Sequence, residues 1–390
     1  MKIYEVGGAV RDRLLGRPVA DRDWVVVGGS PEEMLALGYR QVGRDFPVFL
    51  HPETHEEYAL ARLERKQGQG YRGFAFDTGA AVTLEEDLAR RDVTINAMAR
   101  DELGNLFDPY GGQQDLAAGV LRHITPAFAE DPLRVLRVAR FAARFDFRIA
   151  PETLSLMQQL AESGELLTLS PERVWRELER ALMETYPARF IEVLRACGAL
   201  APLLPELAAL FDRPRPLSDR HPVDAGEHLL ENLKRAAEAE LALPVRFALL
   251  VQTPADDAGQ DEHAFQQTER LCQRLRAPVA LSDTALALVR EQRVIRSACT
   301  LEAKEVVALL DRVDGFRRPE RLEDVLRASA VDARVPVLPD YPPAIRITRA
   351  LAACREVKPD AAILASKDGA RIKAALHAAR VSAVVQLESA

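Results

Sequence analysis

Two aspartates two residues apart, Asp21 and Asp23, open the run DRDWVVV, which reads as a buried β-strand. Side chains at i and i+2 of a strand point to one side of the sheet. Both carboxylates are therefore expected together, with Val25 and Val27 continuing their face. Two adjacent carboxylates repel each other unless a positive charge lies between them. A divalent cation answers that need, and oxygen donors favour Mg²⁺. A plainer reading competes: one aspartate closes a turn after Pro18 while the other caps a helix or pairs with Arg22, which stands between them. The stretch upstream shifts the balance. KIYEV (2–6) alternates like a strand, Gly7-Gly8 breaks it, and AVRDRLLG follows as a short helix. Glycines at such a turn let a phosphate approach the backbone, and a helix start offers free N–H groups and the positive end of a dipole. Arg11 lies in the first turns of that helix. A phosphate cradle beside a carboxylate pair is the equipment of metal-assisted nucleotidyl transfer.

Three further stretches carry chemistry. EDPLRVLRVAR places Asp131 before Pro132, a natural helix start, and then arginines at 134, 137 and 140. Spacing by three fans these guanidiniums over one side of a helix. They form either a solvated face or a set of fork-shaped donors for phosphates and base edges. RRDVTINAMA, starting at Arg90, sets Arg91, Asp92 and Asn96 before and within an apolar helix. Asparagine competes for backbone groups inside a helix, so a buried polar network and a ligand contact are equally open there. ERKQGQGYRGFAF (64–76) mixes glycines, aromatics and cations too irregularly for an element and reads as a loop near a site, or a simple surface turn.

The elements that must position these residues follow from periodicity. Residues 1 to 125 alternate strand-like and helix-like segments (KIYEV, DWVVVG, PVFLH, EEYALARLE), with PEEMLALGY helical after a Ser30 cap. From residue 130 the pattern is helical, with helices starting at Asp or Ser plus Pro and ending at Gly. DRPRPLSDRHP (212–222) marks a boundary, and VPVLPDYPP (335–343) interrupts the helices beyond it.

Composition bounds the rest. A chain of 390 residues, 48% hydrophobic and 28% charged, is long enough for several domains with ordinary cores. No apolar run is long enough to span a bilayer as a helix, so no membrane partner is expected, and no secretory leader is visible before the first strand. Four widely spaced cysteines without a C-x-x-C fit reduced thiols in a cytoplasm. The net charge of −7 argues only mildly against a nucleic-acid partner, because Arg134, Arg137, Arg140, Arg144 and Arg148 cluster against a single Asp146.

GGAVRDRLLG with DRDWVVVG, then RRDVTINAMA, then EDPLRVLRVARFAARF, in this order and spacing, resemble the bacterial tRNA nucleotidyltransferases that add CCA to tRNA 3′ ends. These belong to class II of the DNA polymerase β-like superfamily. The likeness is close over residues 1–205 and looser beyond. It implies an α+β nucleotidyltransferase head with a mixed β-sheet (1–125), followed by an all-α neck (126–211), body (212–330) and tail (331–390). It implies that Asp21 and Asp23 are catalytic and bind Mg²⁺, and that Gly8, Arg11, Arg91, Arg137 and Arg140 contact the nucleotide. Asp131 and Arg134 match the pair that reads the Watson–Crick edge of cytosine or adenine in place of a nucleic-acid template. The 64–76 segment matches the loop associated with switching from C to A addition, which argues against a CC-only enzyme. The implied partners are tRNA, CTP and ATP, and the implied state is a monomer, with a homodimer as the alternative. A transferase adding A alone, a poly(A) polymerase and an RNA-binding protein with an inactive head are the other readings. Poly(A) polymerases usually carry a basic G-R-R-F stretch where this chain has VGRDFPVF, with Asp45 in that place.

One departure stands out. Relatives of the nearest subgroup carry a metal-dependent phosphohydrolase region of HD type. Here Gln252 and Thr253 stand where the H-D pair falls, and Gln292 where a further histidine is expected. His221 and His228, with Asp224 between, leave at most a poor, solvent-exposed site, and His228 reads as a residual helix residue. The region is expected to be a degenerate scaffold for holding tRNA, without hydrolase activity.

Overall fold

The computed structural model describes residues 1–19, 21–42, 48–66, 74–77, 81–212, 214–217, 220–252, 261–335, 338–358 and 368–389; for 63–66, 74–77, 214–217, 220–223 and 261 it describes the backbone alone. The chain divides into two compact units. The first comprises Met1–Glu177 and Arg189–Leu203, the second Leu178–Ala188 and Leu204–Ala390.

The first unit is built on a mixed sheet of seven strands: β1 (Lys2–Val6), β2 (Asp23–Val27), β3 (Arg40–Val42), β4 (Val48–Leu50), β5 (Glu57–Leu60), β8 (Ala99–Arg100) and β9 (Leu106–Phe107). Their order is β3-β4-β5-β2-β1-β8-β9, and only β2 and β5 run parallel. Alternation buries both faces. Tyr4, Val6 and Val25 pack with Leu88 and Ala97 on one side, while Val26, Phe49, Tyr58 and Leu60 pack with Met34 on the other. Each such large side chain contributes roughly 1.5–3 kcal/mol by leaving water. Helices α1 (Gly8–Leu14), α2 (Pro31–Ala36), α3 (Leu84–Ala89) and α4 (Gly112–Ala118) decorate this sheet. Ser30 with Glu33, and Thr83 with Glu86, form reciprocal caps that start α2 and α3.

Two expectations give way here. The 64–76 stretch is not wholly a loop: β6 (Leu63–Lys66) and β7 (Phe74–Asp77) pair antiparallel, and 67–73 lie outside the described residues, as does Asp45. RRDVTINAMA is not a helix. Asp92 accepts the N–H of Val93 at 2.9 Å and Thr94 donates its N–H to the Arg122 carbonyl at 2.9 Å, so the chain makes a single 3₁₀ turn, Thr94–Asn96, before entering β8. Apolar residues at near-helical spacing serve a buried turn as well as a helix.

A short parallel pair, β10 (Val120–Leu121) and β11 (Arg148–Ile149), brackets α5 (Leu133–Phe145). Helix α5 ends on Asp146, in the left-handed region at φ 55°, where a glycine was expected. Helices α6 (Pro151–Glu162), α7 (Pro171–Met183), α8 (Pro187–Ala196), α9 (Leu200–Leu203) and α10 (Pro205–Ala208) follow. The proline-rich break at 212–222 holds a hairpin of β12 (Pro214–Leu217) and β13 (Arg220–Asp224).

The second unit continues through α11 (Ala225–Glu238), α12 (Leu243–Val251), α13 (Asp261–Leu275), α14 (Val279–Arg296), α15 (Ala303–Arg312), α16 (Pro319–Asp332), α17 (Pro342–Arg355) and α18 (Gly369–Ser389). Helix α12 is buried from Val245 to Val251 and packs against α11, α14 and α16. A helix apolar all round belongs at the centre of such a unit. Among the described residues no helix is long and apolar enough to cross a membrane.

Candidate active site

Asp23 opens β2 opposite Val6, and the glycine turn after Val6 ends the pairing there. Asp21 therefore precedes the strand rather than lying on it. Both residues are exposed. They still feel each other: burial of its surroundings pushes the Asp23 carboxyl above its ordinary value, Asp21 pushes it further, and the Arg91 guanidinium opposes both. Neither carboxylate has an ion pair among the described residues, and no group of three or more His, Cys, Asp or Glu exists among them to cage a metal. Two unpaired oxygen donors open to solvent fit a hard divalent cation that completes its shell with water and phosphate oxygens.

Gly7 has φ 69°, and a Cβ there would lie 2.7 Å from Arg91 Nη1. Only glycine allows this left-handed turn to pass so close to the arginine. Arg91 is lightly held, by Asp87 at 3.4 Å and the Asn96 carbonyl at 3.5 Å, and its buried Nε has no partner among the described residues. The structure thus gathers the glycine turn, Arg91 and Asp23. Gly8 begins α1, where a Cβ would meet Arg11 Nη2 at 3.4 Å.

Arg11 lies in α1, as the sequence suggested, with its guanidinium held by protein groups. It is 3% exposed, donates to Asp12 at 2.8 Å and to Asn96 Oδ1 at 2.5 Å, and stacks 4.9 Å from the Phe145 ring. Asn96 in turn donates to Asp92 at 3.0 Å, and Arg137 Nε holds the other Asp92 oxygen at 2.7 Å. From the far end of α5, Arg144 donates to Asp12 at 2.9 Å. Six side chains (Arg137, Asp92, Asn96, Arg11, Asp12, Arg144) therefore form a chain that leaves α5 and returns to it two turns later. Burial alone would raise the Asp92 carboxyl, but Arg137, Asn96 and the Val93 N–H outweigh it and hold the group well below the usual carboxylate range. The ambiguity over Asp92 and Asn96 resolves as a buried polar network.

The remaining α5 arginines are neither a solvated face nor loose donors. Arg140, 7% exposed, pairs with Glu177 at 2.6 Å and lies 4.7 Å from the Phe141 ring. Arg134, 8% exposed, donates to the carbonyls of Ala127 at 3.0 Å and Arg90 at 2.5 Å. Asp131 accepts the Leu133 N–H at 3.1 Å, so it does start the helix, and Arg173 Nη2 bridges both its oxygens at 3.2 and 2.9 Å. Sequence reading missed Asp12, Arg173 and Glu177 as partners. The only signal was an excess of arginines in an apolar helix, each of which needs a carboxylate or carbonyl when buried.

In the second unit His228 is the helix residue expected, on α11, but the solvent-exposed site expected around it is not what the structure holds. His228 is 2% exposed, and its Nε2 lies 2.9 Å from Asp332 of α16, which is fully buried. Asn232 and Gln252 reach the same oxygen at 3.0 Å each; Gln292 reaches the other at 2.5 Å, and Arg296 forms an ion pair with it. Asp224 caps α11 through the Glu227 N–H at 2.9 Å. Thr253 and the His221 side chain lie outside the described residues.

Across residues 3–122 the chain matches the family described as the poly A polymerase head domain, and across 146–211 the one described as the probable RNA and SrmB-binding site of polymerase A. The multifunctional CCA protein of Azoarcus sp. (strain BH72) is 52% identical, over 100% of this chain and 98% of that protein. The multifunctional CCA protein of Pseudomonas aeruginosa (strain LESB58) is 50% identical, over 98% of each. Of solved structures, the Bacillus stearothermophilus CCA-adding enzyme in complex with CTP aligns with a TM-score of 0.69 at 24% identity, over 99% of this chain and 89% of that one. The Thermotoga maritima CCA-adding enzyme complexed with tRNA gives 0.65 at 21% identity, over 98% and 87%. These two structural likenesses bear on the fold.

Proposed function

The chain belongs to the family of multifunctional CCA proteins, and we propose that it adds C, C and A in turn to the 3′ end of tRNA, taking CTP and ATP and releasing pyrophosphate. The observation that carries this reading is the unpaired Asp21–Asp23 carboxylate pair beside Arg91 and the glycine turn. Such a pair, left without a cation of its own, is costly to keep unless a ligand brings one. An RNA-binding protein with an inactive head has no use for it.

Nucleotidyltransferases of this family use divalent metal ions, and we assign Mg²⁺ to Asp21 and Asp23. When bound, the ion lowers the pKa of the terminal 3′-hydroxyl and offsets charge building on the α-phosphate. Arg91, with its unpartnered Nε, and Gly8 receive the triphosphate, fixing it for in-line attack. Asp131 and Arg134 read the base edge: a carboxylate accepts from the exocyclic amine of cytosine or adenine, and a guanidinium donates to the neighbouring ring nitrogen or carbonyl. Arg173 and the two backbone carbonyls hold this pair in place before the base arrives. Arg11, Arg137 and Arg140 also serve the nucleotide, through positive potential and through the placement of α5, since their own hydrogen bonds go to protein groups.

The division into head (1–125), neck (126–211), body (212–330) and tail (331–390) is part of this proposal, as are a monomeric state and a cytoplasmic setting. Four free cysteines agree with a reducing compartment. The relatives' name speaks of several activities. In this chain we propose that the phosphohydrolase is absent, because Arg296 and two glutamines occupy the surroundings of Asp332.

Purified protein is incubated with tRNAs ending before CCA, after CC, and complete, each with one nucleotide at a time. The expected result is C on the first, A on the second and nothing on the third. An A-adding enzyme extends only the CC end, a poly(A) polymerase extends the complete tRNA, and an inactive head extends none.

A further inference from the structure

Arg22 is the nearest cation in sequence to the carboxylate pair, standing between Asp21 and Asp23. Its side chain is long enough to fold back onto either one, and an arginine–carboxylate pair there would compete with any metal. It is instead held on the other side of the sheet. Glu5 lies across the β1–β2 ladder from Trp24, one register position from the Val6–Asp23 pair, so its side chain points to the face opposite Asp23. Glu5 is 3% exposed and accepts from Arg22 Nε at 2.8 Å. Glu56 takes Arg22 Nη1 at 3.4 Å, and the guanidinium lies 4.6 Å from the centre of the Trp24 ring. The ring itself is fixed by stacking on Tyr58 at 5.5 Å and by its N–H to Glu56 at 3.0 Å. Glu5 also accepts twice from Arg13 of α1, at 3.0 and 3.2 Å, so its buried charge is fully compensated and its position fixed.

We propose that Glu5 is a positioning residue for metal binding: by holding Arg22 on the far face of the sheet, it keeps that guanidinium from neutralising Asp21 and Asp23. This rests on the reading that the two aspartates hold the cation. The alternation of a strand places Arg22 and the aspartates on opposite sides, but Arg22 precedes the first paired residue and has a long side chain. Backbone alternation is thus a weak restraint at that point, and the Glu5 carboxylate with the Trp24 ring supplies the strong one. A glutamate 3% exposed among Ile3, Tyr4 and Val6 of β1 is hard to account for by packing alone.

The test is direct Mn²⁺ binding to the full-length protein, read from the electron paramagnetic resonance signal of free Mn²⁺, with tRNA and nucleotide absent. Glu5→Gln keeps the shape and a hydrogen bond but removes the charge that holds Arg22. The dissociation constant for Mn²⁺ is expected to rise roughly two- to fivefold, the range that an exposed arginine–carboxylate pair supports. Glu5→Gln/Arg22→Gln should return it to the wild-type value, although Arg13 is left as unpaired as in the single variant. Melting temperatures of both variants show that they are folded; should Glu5→Gln not fold, Glu5→Leu/Arg22→Leu against Glu5→Leu provides the same comparison. Unchanged Mn²⁺ affinity in Glu5→Gln overturns the inference, and so does a loss that persists in the double variant. Failure of the underlying reading looks different: Mn²⁺ binding then survives in Asp21→Asn and Asp23→Asn, and both the metal assignment and the role of Glu5 fall together.

Discussion

The Asp23 carboxyl is pushed above its ordinary value by desolvation from the protein around it, against the Arg91 guanidinium and with help from Asp21, so the fold disfavours its charged form. The sign of its stability effect follows. Below the unfolded-state pKa the group is neutral in both states and costs nothing. As the pH rises through the folded-state value, the fold takes up the full penalty of ionising it. At neutral pH, with a chelator present, Asp23→Asn is therefore expected to melt above the wild type while incorporating neither C nor A. Added Mg²⁺ should close the gap, because only the intact pair gains from binding it. A variant that melts below the wild type in chelator would mean that Asp23 is held by the protein rather than by a ligand. Arg134 raises a different question at the same scale. Its guanidinium is fixed by two backbone carbonyls, and a fixed donor discriminates where a swinging one does not. Arg134→Ala should lower discrimination of CTP and ATP against UTP and GTP by roughly ten- to a hundredfold, the worth of about 1–3 kcal/mol in base-edge recognition. Lysine should not restore it, having no planar fork. Single-turnover incorporation with each nucleotide decides this, and equal loss for all four would remove the base-reading role.

Helix α5 is where sequence and structure meet at the scale of elements. Its start at Asp131-Pro132 and its apolar stripe were legible, because capping and 3.6-residue periodicity are local. What each arginine binds was not legible. Arg144 meets Asp12 across 132 residues of chain, and Arg137 meets Asp92 across 45. Periodicity tells which face a side chain occupies and nothing of its partner. That the two carboxylates feel each other was readable because they stand two apart, although Asp21 lies before β2 rather than on it. Glu5 was read only as the polar beat of a strand, since its partners Arg13 and Arg22 come from two other segments. The α5 network leads to a prediction about stability rather than substrate. Arg137→Ala leaves Asp92 buried and unpaired on one side, at a cost of about 3 kcal/mol or somewhat less, since Arg137 itself is partly exposed. Asp92 has a depressed folded-state pKa, so its contribution is fully present above the ordinary carboxylate range and is lost as the pH falls through the folded value. The difference between wild type and Arg137→Ala should thus be largest near neutral pH and shrink below about pH 4. Denaturant melts across that range would show it, and a difference independent of pH would place the effect outside the Asp92–Arg137 pair.

At the scale of the whole molecule, the second unit keeps an elaborate polar centre. The missing H-D pair was plain in the sequence; the survival of a buried His228–Asp332 contact was not, because the two residues stand 104 apart. Protein groups surround the buried Asp332 carboxylate. Arg296 supplies the positive charge, and Asn232, Gln252 and Gln292 supply donors, so every strong interaction that a cation would make with Asp332 is already made by protein. For a metal to enter, Arg296 would have to leave, and among the described residues the metal would find one imidazole and one carboxylate, with amide oxygens that transition metals bind weakly. We therefore expect no Ni²⁺- or Mn²⁺-stimulated hydrolysis of 2′,3′-cyclic AMP or p-nitrophenyl phosphate by protein that adds CCA normally with Mg²⁺. On the same proposal, Asp332→Asn is expected to lower the melting temperature and to leave hydrolysis undetectable, because the carboxylate there compensates Arg296. Assays across several divalent metals, each with His228→Ala as control, settle the matter. Robust turnover that disappears in His228→Ala would show that Arg296 yields its place to a metal after all.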